Sequence, residues 1–150
     1  MSGRRALYLD LGDTLVRVED DEIYTDGNAQ VELLPRRKEI LQSKARGFEV
    51  VFIVTNQAGI DDGIVSVDES ASFIGQVDAT MGGLITDYWA CPRRDSSYRK
   101  PNPGMIIGLA DKHYVDLSKS VFVGDSESDR AAADAAGVEF ILASAFFADS

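Results

Sequence analysis

The chain has one cysteine, Cys91, and one histidine, His113, among its 150 residues. A lone thiol excludes an intramolecular disulfide, and one Cys with one His cannot furnish the ligand set of a structural zinc site. Positive charge is scarce as well: 15 Lys and Arg stand against 25 Asp and Glu, a formal net charge of −10. Such a surface repels a phosphate backbone, which argues against nucleic acid as a partner and leaves room only for a local basic pocket. No apolar run approaches the roughly 20 residues that cross a bilayer, so no membrane-spanning segment is expected. The opening Met1-Ser2-Gly3-Arg4-Arg5 leads straight into a short strand-like run, too short for the apolar core of a signal peptide, and a cytoplasmic location is the expectation. Internal repeats and low-complexity tracts are missing too.

With 45% hydrophobic and 27% charged residues, the composition is that of a globular protein, and 150 residues suit one domain spanning 1–150. Short β-rich runs alternate with segments of helical spacing, the pattern of an α/β fold with a parallel sheet of about five strands and helices on both faces. The runs are Ala6 to Leu9, Phe48 to Val54, a weaker one around Leu84 to Ala90, Ser120 to Val123, and Glu139 to Leu142. The first two are nearly all apolar, as strands buried on both faces require. Pro35 is a natural first helical residue and Gly47 a natural left-handed stop, which predicts a helix over 35–46. Ser66 and Glu69 have capping-box spacing ahead of Phe73, Ile74, Val77 and Met81. Asn102-Pro103 can open a third helix, and the Ala-rich stretch from Ser128 to Ala136 stops at Gly137. The segment Glu19 to Gln30 has no periodicity and reads as a solvated loop. Cys91, Tyr88 and Trp89 read as packing residues, and His113 as a polar group suited to the carbonyl end of the third helix.

In an open parallel sheet, ligands bind beyond the carboxyl ends of the strands, so the polar residues there carry the chemistry. Strand one delivers Asp10, strand two Thr55-Asn56-Gln57, the loop after strand three Arg99-Lys100, and strand four Asp125 with Asp129. Carboxylates, a hydroxyl and an ammonium converging on one edge suit a phosphoryl group: hard oxygens hold Mg²⁺, the Lys neutralises phosphate, and one Asp is left to attack phosphorus.

Four stretches carry a resemblance. Leu9-Asp10-Leu11-Gly12-Asp13-Thr14-Leu15, Thr55-Asn56-Gln57, Arg99-Lys100-Pro101-Asn102-Pro103-Gly104-Met105 and Val123-Gly124-Asp125-Ser126-Glu127-Ser128-Asp129 resemble the four motifs of the haloacid dehalogenase (HAD) superfamily of phosphohydrolases. The second and third resemble the branch containing histidinol-phosphate and heptose-bisphosphate phosphatases. This resemblance implies a Rossmann-like fold without a large cap domain, acting as a Mg²⁺-dependent phosphatase on a small phosphorylated metabolite, with a monomer as the expected state. It implies Asp10 as the nucleophile and Asp10, the Gly12 carbonyl, Asp125 and Asp129 around the metal. Thr55 and Lys100 would hold the phosphoryl group, and Asn56, Gln57 and Arg99 would contact substrate.

Two departures stand out. Members of the superfamily that act as phosphatases usually carry a second Asp two residues after the nucleophile, as general acid and then base; here Gly12 occupies that position, and Asp13 is the nearest carboxylate that could substitute. A positioned acid or base contributes about a hundred- to ten-thousand-fold. The glycine therefore implies a slow phosphatase or, alternatively, a phosphate-binding or regulatory protein. Relatives in the branch also commonly carry a zinc-binding Cys loop after the third strand, of which Cys91-Pro92 alone remains, so zinc is not expected. A two-component receiver domain also combines Asp, Thr, Lys and Mg²⁺, but places its phosphorylated Asp on the third strand.

Overall fold

A computed structural model describes residues 3–17, 32–57, 60–63, 66–93 and 95–148. The stretch expected as a solvated loop, Glu19 to Gln30, lies outside them, as does Arg94. The elements in chain order are β1 (Ala6–Leu9), α1 (Arg37–Lys44), β2 (Val50–Asn56), α2 (Val67–Met81), β3 (Asp87–Cys91), α3 (Gly104–His113), β4 (Val121–Gly124), α4 (Glu127–Ala136), β5 (Glu139–Leu142) and α5 (Ala143–Phe146). All five strands are parallel, in the order β3-β2-β1-β4-β5. β1 is therefore central, flanked by β2 and β4, and the residues just past these strands lie side by side on one edge.

The alternation of side chains along a strand divides the core in two. Leu7 and Leu9 of β1 face a layer formed with Leu41 of α1, Phe73, Ile74, Val77 and Met81 of α2, and Phe146 of α5. Ala6 and Tyr8 face the other layer, with Met105, Ile106 and Leu109 of α3 and Ala132 and Ala133 of α4. Helices thus cover both faces, as the continuous apolar runs require. Tyr8 is fully buried, and its hydroxyl donates to the Ile106 carbonyl at 2.9 Å, which satisfies the one polar atom it brings into the core.

Helix ends follow local chemistry where that chemistry is complete. Ser66 and Glu69 form the reciprocal capping box that opens α2, and Gly137, at φ 79°, closes α4. Other ends differ from expectation. Arg36 has φ 64°, so α1 begins at Arg37 and not at Pro35, and a 3-10 turn over Ala45–Gly47 ends it without a left-handed glycine. Pro103 caps α3, because the Asn102 side chain donates instead to the Ser96 carbonyl at 2.9 Å. β3 starts later than expected, at Asp87, and as an edge strand it leaves Tyr88 partly in water. Trp89 does pack: its ring stacks on Tyr98 with centroids 4.9 Å apart. Cys91 is buried.

Candidate active site

Each candidate side chain is delivered by the end of a strand or the turn that follows it. Asp10 leaves β1 with its N–H on the Val123 carbonyl at 3.0 Å, which ties it to β4. Lys100, from the loop after β3, reaches back into the protein and is buried. Its Nζ donates to Asp10 Oδ1 at 2.7 Å, to Asp129 Oδ1 at 2.7 Å and to the Val54 carbonyl at 3.2 Å. One ammonium thus stands between two carboxylates with all three protons engaged. Asp129 comes from the first turn of α4, where its Oδ2 accepts from the amides of Asp125 at 3.1 Å and Ser126 at 3.3 Å. Ser126 Oγ accepts from the Asp129 amide at 3.2 Å in return, a reciprocal cap that fixes Asp129 before any ligand is considered.

Asp125 lies exposed beside this buried pair, and Asp10, Asp125 and Asp129 each place a carboxylate oxygen within 4.8 Å of the others. Three hard oxygen donors at that spacing fit a small divalent cation such as Mg²⁺. The electrostatics agree. Burial raises the Asp10 carboxyl to about 7; Lys100 opposes the rise, and the charges of Asp129 and Asp125 add to it. Asp125 is also raised, by partial loss of water and by Asp129. Asp129 is lowered: burial works against its charge, but Lys100 and the hydrogen bonds from the Asp125 and Ser126 groups outweigh it. Lys100 is raised, its burial outweighed by Asp10 and Asp129. One cation among three carboxylates leaves negative charge that a metal would offset.

The remaining expected residues divide. Thr55 is buried at the end of β2, and its Oγ1 makes only a marginal 3.5 Å contact with the Asn56 carbonyl, leaving the hydroxyl available. Gln57 is buried; its Oε1 accepts from Ser70 Oγ at 2.5 Å, and its Nε2 has no partner among the described residues. Arg99 is half-buried, and its Nη1 is likewise buried without a partner there. Asn56 departs from the expected substrate contact: its carboxamide is engaged with the main chain of Lys100. Gly12 is half-buried, in a bridge that uses the Leu11 carbonyl and the Asp13 amide and not Gly12's own carbonyl. Asp13 is exposed at φ 58°, a left-handed turn residue whose amide donates to Val16.

Two contributors escaped the sequence reading. Thr14 is fully buried, with Oγ1 3.5 Å from Asp10 Oδ2. Gly124 has a steric role: a Cβ there would lie 2.5 Å from Asp129 Oδ2. The glycine lets the Asp129 carboxylate lie against the end of β4. A glycine directly before Asp125 was a readable signal of close approach, and Ser126 three residues before Asp129 had capping-box spacing.

A parallel sheet of this order, with Asp10 past the central strand, Thr55 past β2, Lys100 in the loop after β3 and an acidic pair past β4, defines the class: the Rossmann-like fold of HAD-superfamily phosphatases. The nucleophile candidate on β1 also separates it from a receiver domain. The family model described as polynucleotide kinase 3 phosphatase matches residues 5–149, and the chain belongs to that family. Within the superfamily it is similar to D,D-heptose bisphosphate phosphatases. It is 38% identical over 113 residues to a heptose-1,7-bisphosphate 7-phosphatase of Rhodopseudomonas palustris, covering 66% of this chain and 62% of that one. A Burkholderia mallei heptose-1,7-bisphosphate 7-phosphatase is also 38% identical, over 109 residues, covering 64% and 57%. The chain thus spans about three-fifths of the length of these relatives. Among solved structures, a D,D-heptose 1,7-bisphosphate phosphatase from B. bronchiseptica, complexed with magnesium and phosphate, superposes with a TM-score of 0.81 at 26% identity, covering 92% of this chain and 79% of that one.

Proposed function

We propose that the protein is a Mg²⁺-dependent phosphatase acting on a small sugar phosphate through an aspartyl-phosphate on Asp10. The observation that carries this reading is the buried Lys100 ammonium held between Asp10 and Asp129, with Asp125 alongside, at the carboxyl edge of the strands. The names of the relatives make a heptose 1,7-bisphosphate the first substrate to test. The net charge of −10 speaks against a polynucleotide, despite the family's description.

Asp10, Asp125 and Asp129, with the Gly12 carbonyl, would hold the metal, which when bound supplies positive charge to the phosphoryl oxygens. A carboxylate oxygen of Asp10 bonds to phosphorus as the ester P–O bond breaks and the leaving alkoxide takes a proton. Water then attacks the aspartyl-phosphate, releasing phosphate and regenerating Asp10. Lys100 offsets negative charge on Asp10 and on the incoming phosphoryl group, and the Thr55 hydroxyl donates to a phosphoryl oxygen. Gly12 offers no proton, so that transfer falls to Asp13 or to water. Among the described residues Gln57 Nε2 and Arg99 Nη1 are buried donors without acceptors, and a sugar hydroxyl or a second phosphate would supply them.

Phosphate release from heptose 1,7-bisphosphate, other sugar phosphates and a 3′-phosphorylated oligonucleotide, with and without Mg²⁺, tests this reading. Mg²⁺-dependent release from a sugar phosphate that Asp10→Asn abolishes supports it, and release from the oligonucleotide alone moves the substrate class. Gly12 favours a second reading, a phosphate-binding protein with little turnover; tight Mg²⁺-dependent binding of a sugar phosphate without release would support it.

A further inference from the structure

Asn56 is the last residue of β2, half-buried, and its carboxamide faces the loop that delivers Lys100. The Lys100 N–H donates to Asn56 Oδ1 at 3.0 Å, and Asn56 Nδ2 donates to the Lys100 carbonyl at 3.2 Å. One side chain thereby satisfies both main-chain groups of one residue, as a neighbouring strand would.

That substitution occurs where the sheet runs out. The β2–β3 ladder ends with Asn56 opposite Cys91, and the Gln57 amide makes one further bond to the Cys91 carbonyl at 2.7 Å. Beyond Cys91 the chain leaves the sheet, and nine residues later it must present a buried ammonium to Asp10 and Asp129 at 2.7 Å each. Among the described residues its other braces include the Arg99 amide on the Ser96 carbonyl at 3.1 Å, the Asn102 amide on the Arg99 carbonyl at 2.8 Å, the Gly104 amide on the Ser97 carbonyl at 3.1 Å, and the stack of Tyr98 on Trp89 of β3. Asn56 ties the main chain of Lys100 to β2. The ammonium returns to the same strand, donating to the Val54 carbonyl at 3.2 Å. Both ends of Lys100 are therefore referenced to the end of β2, the backbone by Asn56 and the ammonium by Val54.

We propose that Asn56 is a positioning residue for Lys100, not a substrate contact: its paired hydrogen bonds to the Lys100 main chain set where the ammonium sits between Asp10 and Asp129. A carboxamide is what the position requires, since it offers a donor and an acceptor side by side. A carboxylate would turn its second oxygen against the Lys100 carbonyl, and a shorter hydroxyl would reach one group at most. The kinetic part of the test rests on the phosphatase reading above; the structural part does not.

The experiment compares Asn56→Ala, Asn56→Asp, Lys100→Met and the double variant Asn56→Ala/Lys100→Met with the unaltered chain. Amide hydrogen exchange followed by NMR is expected to show Lys100 protected in the unaltered protein, exposed selectively in Asn56→Ala, and intermediate in Asn56→Asp, which keeps an acceptor for that N–H. A change spread evenly over all amides, or unchanged Lys100 exchange, overturns the proposal. In the kinetic arm, a misplacement of about 1 Å can cost about 10²-fold. Asn56→Ala is expected to lower kcat on that scale with KM held within about twofold, by the same factor on every sugar phosphate the protein hydrolyses. In the Lys100→Met background it is expected to have little further effect. A rise in KM at constant kcat, or a factor that varies with the sugar, makes Asn56 a substrate contact and overturns the proposal. If the unaltered protein releases no phosphate from any monoester, the phosphatase reading fails, and Lys100 exchange still decides the role of Asn56.

Discussion

At the scale of single residues, the site depends on one ammonium buried among carboxylates. Lys100→Met leaves Asp10 and Asp129 facing each other without a cation, and removing one partner of a buried pair costs about 3–5 kcal/mol. That loss is expected as a lower midpoint in urea unfolding, and an unchanged midpoint would mean that the pair is not held as described. Gly124→Ala acts by contact alone. Its Cβ would lie 2.5 Å from Asp129 Oδ2, so the carboxylate must move, at a cost of about 1–3 kcal/mol and with weakened Mg²⁺ binding; calorimetric titration with Mg²⁺ checks the second effect. Gly12→Asp tests whether the glycine limits turnover. Gly12 is half-buried beside Asp10, and an Asp there is expected to raise phosphate release if a proton donor is missing. The main candidates at this scale were legible because Asp10, Thr55, Lys100 and Asp125 each follow a recognisable strand or motif. The engagement of Asn56 with Lys100 was not, because it joins residues 44 positions apart and nothing in the local chemistry of Asn56 announces it.

At the scale of elements, Asp87 ties the start of β3 to the end of α3: its Oδ2 lies 2.8 Å from Lys112 Nζ and 2.7 Å from His113 Nε2. Burial raises its carboxyl, but the hydrogen bonds to Lys112 and His113 outweigh burial and hold it below the usual range. A carboxyl lowered in the folded state favours folding above its unfolded pKa of about 3.9 and loses that contribution as pH falls through the folded value. The stability difference between the unaltered protein and Asp87→Asn is therefore expected in full at pH 6 and should shrink as pH falls from 4 toward 3. Urea midpoints at pH 6 and pH 3 check this, and an equal difference at both would show that the carboxylate's charge is irrelevant. Where capping chemistry is local, the elements were readable in advance, as in α2 behind Ser66 and α4 before Gly137. They were misread where backbone or tertiary contacts override the local signal. Arg36 takes a left-handed conformation ahead of α1, so the helix starts after Pro35; Gly47 ends a 3-10 turn without the left-handed conformation expected of it; and Asn102 reaches Ser96 instead of capping α3. The four-residue α5 is too short to show helical periodicity at all.

At the scale of the whole molecule, strand order turns residues far apart in the chain into neighbours. β1 lies between β2 and β4, so Asp10 meets Lys100 from the loop after β3 and the carboxylates that follow β4. The alternation of apolar runs with helical spacing announced the parallel α/β fold, but the order of the strands came into view only in three dimensions. Three carboxylates gather on that edge with one ammonium bonded to two of them, so bound Mg²⁺ should relieve their repulsion and stabilise the fold. Thermal unfolding is expected to shift upward with millimolar Mg²⁺ in the unaltered protein and much less in Asp125→Asn. Equal shifts in both would place the ion elsewhere. The most direct test of the central claim is phosphate release from heptose 1,7-bisphosphate and related sugar phosphates in the presence and absence of Mg²⁺, with Asp10→Asn alongside. Release that requires Mg²⁺ and disappears in Asp10→Asn is the expected result; release that persists undiminished in the folded Asp10→Asn protein would contradict the assignment of Asp10 as nucleophile.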